Sequence, residues 1–152
     1  MLTDPDTFDR RIIAELQRDG RMSIAELSTR VGLSTSPCWR RVRLLEESGV
    51  IRGYTALVDP AALGLGLDVF VAASLDLHRA AAFEDAVRQC PEVLECYAMT
   101  GEQDYLMHIA AADIAAFDRF LRETLIHLPG VQNIKSSFAL KAVKGNGAAP
   151  PA

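Results

Sequence analysis

The sequence of 152 residues contains no run approaching the ~20 consecutive apolar residues that a membrane-spanning helix needs. Its start, Met1 to Arg11, is acidic and polar and has no apolar stretch of the kind a secretory signal carries. A soluble, cytoplasmic chain is the expectation. Cysteine is scarce: Cys38, Cys90 and Cys96 are an odd, widely spaced set without a C-x-x-C pair. That argues against a disulfide framework and for reduced thiols. His78, His108 and His127 are equally scattered, outside any metal-ligand spacing, so no metal is expected. Neither a nucleophile–base pair nor a phosphate loop appears. Gly64-Leu65-Gly66 lacks the third glycine of a dinucleotide fingerprint and precedes its strand. No cofactor is expected, and the residues do not read as an enzyme.

What is present is enough apolar sequence, 49%, to build a packed core, in one ordinary domain or two small ones. The formal net charge of −4 argues against nucleic acid on its face. The distribution argues otherwise. Between positions 30 and 52, Arg30, Arg40, Arg41, Arg43 and Arg52 face only Glu46 and Glu47. Whole-chain charge governs solubility, whereas a local patch is what meets phosphate.

Asp6 to Asp19 reads as a helix, with Phe8, Ile12, Ile13 and Leu16 at helical spacing and Gly20 as a stop. Ser23 and Glu26 form a capping-box pair ahead of a short helix that ends at Gly32. Ser34 is placed to cap a third helix, Thr35 to Ser48, with Pro37 in its first turn. Val50 to Leu57 reads as a short strand or wing. Val58 to Gly66, with Asp59-Pro60 and Leu63-Gly64-Leu65-Gly66, reads as a linker. Beyond it the spacing predicts a strand over 67–77, a helix over 80–90, strands over 93–100 and 105–110, a helix over 113–128 and a strand over 131–144. The order β-α-β-β-α-β is that of a ferredoxin-like sandwich, one antiparallel sheet with both helices on one face. Such sheets host many activities, so fold by itself does not exclude catalysis. Phe70, Ala72 and Ser74 share one parity of the first of these strands. They leave the other face partly apolar, and a partner subunit is the economical cover. The expected organisation is a helix-turn-helix domain at 1–57, a linker at 58–66, a second domain at 67–144 and a disordered tail at 145–152.

At 100° per residue, Cys38, Val42 and Leu45 share the core side of the third helix. Ser36, Trp39, Arg40 and Arg43 lie opposite, with Ser34 and Thr35 at the helix start. A small, polar helix head followed by arginines suits a DNA major groove. A plain solvated face is the alternative, and the short second helix with its Gly32 turn favours DNA. Trp39 is expected against the wing or the first helix, with a base or sugar contact as the other reading. Cys38 reads as a small core residue.

The run Ser23-Ile24-Ala25-Glu26-Leu27-Ser28, then Val31-Gly32-Leu33-Ser34, Pro37-Cys38, Arg41-Val42, Leu45 and Gly53-Tyr54-Thr55-Ala56 resembles the leucine-responsive regulatory protein/AsnC (Lrp/AsnC) family. So do Thr100-Gly101-Glu102-Gln103-Asp104-Tyr105-Leu106 and Leu128-Pro129-Gly130-Val131. The resemblance spans about Phe8 to Lys144. It implies a transcription regulator of amino-acid metabolism that dimerises through its C-terminal sheets, often builds octamers, and binds an amino acid between dimers. Carried over by position, the effector contacts are Met99, Thr100, Gly101, Glu102, Asp104 and Tyr105, with Ser136 and Ser137 from the last strand. Asp104 would pair with the ammonium group, and backbone N–H groups near Gly101 would hold the carboxylate. Without the resemblance, Gly-Glu-Gln-Asp is equally a plain hairpin turn. Glu102 stands where the family commonly has aspartate, and Ser137 where it often has a larger residue, so leucine is not assumed as the effector. Met107 is expected in the core and His108 in the core or the pocket. The rival DNA-binding reading is an architectural, DNA-compacting protein with little sequence preference.

Overall fold

The computed structural model describes residues 5–144. The chain separates into two compact units that divide between Leu57 and Val58.

The first unit holds α1 (Thr7–Arg18), α2 (Ile24–Val31) and α3 (Thr35–Glu47). A reciprocal capping box starts α1. The Asp6 carboxylate accepts from the N–H groups of Phe8 and Asp9 at 2.8 and 2.9 Å, and the Asp9 carboxylate accepts from Asp6 N–H at 3.1 Å. The same two carboxylates take the Arg41 guanidinium, each at 2.8 Å, and so tie α3 to the head of α1. Only half of the box expected at α2 forms. Ser23 Oγ accepts from Glu26 N–H at 3.2 Å, but the Glu26 carboxylate turns to Arg30 at 2.8 Å. Ile12, Leu27, Val31, Cys38, Val42 and Leu45 make the core. Burial in it pushes the Cys38 thiol pKa up, consistent with a packing role.

Val50 to Leu57, expected as a short strand or wing, forms no strand. Its groups are claimed locally instead. Ile51 N–H reaches Leu45 O at 2.9 Å. The Tyr54 hydroxyl donates to Glu46 at 3.0 Å, and its ring lies where a Cβ on Gly20 would sit 3.4 Å away. The apolar side chains line a cleft with Ile13 and Leu16 of α1, rather than joining a ladder.

In the second unit, residues 58–66 are more ordered than a plain linker. Asp59 caps a 3-10 turn, Pro60–Leu63, accepting from Ala61 N–H at 3.0 Å. There follow β1 (Leu67–Leu75), α4 (Ala80–Val87), β2 (Val93–Ala98), β3 (Tyr105–Ala111), α5 (Ile114–Glu123) and β4 (Val131–Phe138). The sheet order is β2-β3-β1-β4, antiparallel throughout, which is the ferredoxin-like arrangement. Val69, Val71, Ala73 and Leu75 of β1 and Tyr105, Met107 and Ile109 of β3 meet Phe83, Val87, Phe117 and Leu125. Met107 is in the core, as its strand parity predicts.

Several elements stop short of their expected ends. β4 ends at Phe138 rather than Lys144: Phe138 lies opposite Val69, near the start of β1 at Leu67, and one further bond, Ala139 N–H to Asp68 O at 2.9 Å, closes the pairing. α5 ends at Glu123, where Thr124 leaves helical geometry (φ −127°, ψ −61°) and a 3-10 turn follows at Leu125–His127. β1 gives way at Asp76, which caps another short 3-10 turn, Leu77–Arg79. The tail expected to be disordered, 145–152, lies outside the described residues.

The buried Tyr105 hydroxyl donates to Glu84 Oε1 of α4 at 2.7 Å. That bond first, and desolvation second, push its pKa up to about 12. In the unfolded chain the phenol ionises near pH ~10. The folded state therefore holds its proton more tightly, and the stabilisation is full below pH ~10 and lost as pH rises toward ~12. Glu84→Gln is expected to bring the last-titrating tyrosine back toward an ordinary value in an absorbance titration, and Tyr105→Phe to remove that step. Leu27, fully buried at the centre of the first unit, should cost ~2–5 kcal/mol when cut to alanine, read by denaturant unfolding.

Candidate DNA interface and hairpin site

α2 ends with Gly32 in the left-handed region (φ 76°, ψ 35°), which a Cβ would strain. Leu33 N–H turns back to Ser28 O at 2.9 Å, closing the helix end and delivering Ser34 to the head of α3. Ser34 has N-cap backbone geometry (φ −75°, ψ 159°), yet its side chain makes no capping bond. The first-turn N–H groups are therefore not closed off by a cap. Cys38, Val42 and Leu45 are buried, which turns Ser34, Thr35, Ser36, Trp39, Arg40 and Arg43 to solvent together. All six expected DNA-facing residues share one exposed surface.

Their electrostatic states differ. Arg43 donates to Glu47 at 3.0 Å, one turn on, and its guanidinium lies 5.8 Å over the Trp39 ring. Arg41 is spent on Asp6 and Asp9. Arg40 makes no ion pair among the described residues and is exposed. Trp39, expected against the wing or the first helix, is 54% exposed and belongs neither to the core of the first unit nor to the cleft that α1 and the 50–57 segment line. It lines an apolar notch of 520 Å³ with Ile24, Thr35, Ser36 and Arg40. The reason is geometric, since Trp39 follows the buried Cys38 by 100° and so leaves the core side.

The expected effector residues do not converge within one chain. Met99, Thr100, Gly101 and Glu102 form the exposed tip between β2 and β3, with Gly101 at φ 130°. Below the tip, Asp104 closes the hairpin. Its C=O accepts from Met99 N–H at 2.8 Å, its N–H donates to Ala73 O at 3.0 Å, and Oδ2 accepts from Leu75 N–H at 2.8 Å. Ser74 Oγ donates to Gln103 Oε1 at 3.1 Å, a second tie from tip to β1. Tyr105, expected at the ligand, points into the core to Glu84 and packs on Phe83. Ser136 pairs with Val71 and Ser137 with Phe70, so the two serines face opposite sides of β4. β1 lies between β3 and β4, which puts the serines' strand ~10 Å from β3, two strand spacings away.

The face of the sheet away from the helices carries its own cluster. Phe70, 41% exposed, stacks on His108 at 4.7 Å and 9°. His108 Nε2 lies 2.9 Å from Asp68 Oδ1, and Nδ1 lies 4.0 Å from Glu95 Oε2. His108 is thus on this open face, neither in the core nor beside the hairpin tip. Ala72, Leu106 and Tyr97 continue the face across three strands. Sequence reasoning missed the structural work of Gln103 and Arg41. Gln103 stands in a quoted motif, but its partner Ser74 is 29 positions away. Arg41 was counted with the basic patch, and the Asp6 and Asp9 that neutralise it are 35 and 32 positions distant.

Comparisons with known proteins agree with this architecture. Residues 5–52 match a model of winged helix-turn-helix DNA-binding domains, and residues 68–149 match the Lrp/AsnC ligand binding domain. The Escherichia coli (strain K12) leucine-responsive regulatory protein is 44% identical over 144 residues, covering 93% of this chain and 88% of that protein. A Neisseria meningitidis transcriptional regulator, solved as a complex with L-Met, superposes with a TM-score of 0.92 at 43% identity, covering 95% of this chain and 96% of the other. An AsnC family transcriptional regulator from Agrobacterium tumefaciens gives 0.90 at 38% identity, with coverage of 95% and 96%. With a helix-turn-helix in the first unit, a ligand-binding sheet in the second and relatives of this identity over nearly the whole chain, the protein belongs to the Lrp/AsnC family of transcriptional regulators.

Proposed function

We propose that this chain regulates genes of amino-acid metabolism in the cytoplasm, inserting α3 into the major groove and changing its DNA affinity when an amino acid binds. The observation that carries the reading is the single exposed surface formed by Ser34, Thr35, Ser36, Trp39, Arg40 and Arg43. Its uncapped helix head offers N–H groups to a phosphate, and Arg40 offers an uncompensated guanidinium to guanine or phosphate.

The working unit is a homodimer closed across the open sheet face, with dimers assembling further toward octamers. The apolar residues there, Phe70, Ala72, Leu106 and Tyr97, are ones a second copy can cover symmetrically. Two α3 helices then read half-sites about one DNA turn apart or a multiple of it. The effector is a small amino acid, in keeping with L-Met in the Neisseria relative. Thr100, Gly101, Glu102 and the free oxygen of Asp104 would supply its polar contacts. Ser136 and Ser137 of β4 lie across the sheet from that tip, so a ligand touching both groups sits between subunits. Binding that favours one assembly must shift DNA affinity in proportion.

The test is binding to DNA upstream of the protein's own gene, with random DNA as competitor, repeated across the amino acids. Specific binding that outlasts random competitor by ~10³ or more, and is altered by one amino acid, is expected. Loss of all preference would favour the architectural alternative. Arg40→Ala is expected to weaken specific binding and reduce the slope of log affinity against log salt by about 1 for a phosphate contact, or to cost ~1–3 kcal/mol at one position for a guanine contact. Phe70→Glu places a charge beside Asp68 on the open face. It should shift the assembly toward monomer in sedimentation and weaken DNA binding with it.

A further inference from the structure

The notch beside Trp39 lies outside the core of the first unit. Its walls are Ile24 at the start of α2, Thr35 and Ser36 in the first turn of α3, and the Trp39 ring, with Arg40 at its rim. Trp39 is 54% exposed, a large apolar side chain among small polar ones and arginines. Arg43, paired with Glu47 at 3.0 Å, lies 5.8 Å over the indole in a cation–π contact.

The notch opens on the same surface as the head of α3. The major groove presents hydrogen-bonding edges at every base pair and one apolar group, the 5-methyl of thymine. A mostly apolar notch facing that groove cannot reward an amide, carbonyl or amine edge, but it can bury a methyl group. Arg40, unpaired at its rim, is left to hold the adjacent base or phosphate. We propose that this notch receives a thymine 5-methyl group, so that Trp39 specifies a T·A pair at one position of each half-site. The proposal rests on the placement of α3 in the major groove.

The test uses the full chain and a duplex that it selects from a random pool. Each thymine is replaced in turn by deoxyuridine, which pairs identically and lacks only the methyl. One thymine per half-site is expected to lose about fourfold in affinity, the worth of one buried methyl. Replacing that T·A pair by 5-methylcytosine·G should then bind better than unmethylated C·G, because the methyl occupies the same place in the groove. Trp39→Ala should bind the thymine and deoxyuridine duplexes equally while still preferring the selected site over random DNA. Trp39→Leu, which keeps an apolar side chain, should retain part of the discrimination and guards against a folding defect. Specific binding indifferent to every uracil substitution overturns the notch assignment alone, as does undiminished discrimination by Trp39→Ala. Failure of the wild type to select any site overturns the placement of α3 and the notch together.

Discussion

The burial of Cys38, Val42 and Leu45 against Ile12 and Leu27 is the contact on which the exposed surface of α3, the one proposed to meet DNA, depends. A helix is rigid about its axis, so fixing one stripe fixes every other position on it. Once those three side chains are in the core, Thr35, Ser36, Trp39, Arg40 and Arg43 must face outward. Arg41 sits at the edge between the two sides. Its pair with Asp6 and Asp9 uses the carboxylates that also cap α1, coupling the angle of α3 to the start of a helix more than 30 positions away. A surface arginine pair is ordinarily worth little. Here two acceptors and a half-buried site make it an orienting contact.

The second unit obeys a different constraint. The strand order β2-β3-β1-β4 puts the hairpin tip toward one edge and Ser136 and Ser137 on the opposite edge. One chain cannot bring the two together. A sheet with helices on one side also leaves the other side for something else to cover. Both facts underlie the proposal that the open face and the effector site involve another copy. The ties from Asp104 and Gln103 to β1 hold the base of the tip in a defined position.

Much of this was legible in the residues. Among the described residues, spacing, caps and composition placed the five α-helices and the four strands, and the split β-α-β-β-α-β order followed, while the three 3-10 turns were not foreseen. The exposed stripe of α3 was readable because its buried stripe is three apolar positions at regular spacing. What escaped was anything decided by a partner distant in sequence. Val50 to Leu57 has strand-like residues, but no neighbouring strand, and Tyr54 turned to Glu46 and Gly20 instead. Trp39 was phased to the side opposite the core and expected against the wing or the first helix, yet it stands 54% exposed beside Arg43. Tyr105 sits in the family motif beside the tip, yet strand alternation sends its ring to Glu84.

The sequence by itself determined the elements, their order, the two-unit organisation and which stripe of each helix is apolar. Those follow from local periodicity, caps and turns, which act within a few residues. The tertiary structure alone decided where β4 stops, which carboxylates neutralise Arg41, that Asp104 is committed to the Leu75 N–H, and that Ser136 and Ser137 face opposite sides. Each depends on register or packing between segments tens of residues apart, and no local spacing encodes which of several nearby donors or acceptors the folded chain will bring within 3 Å.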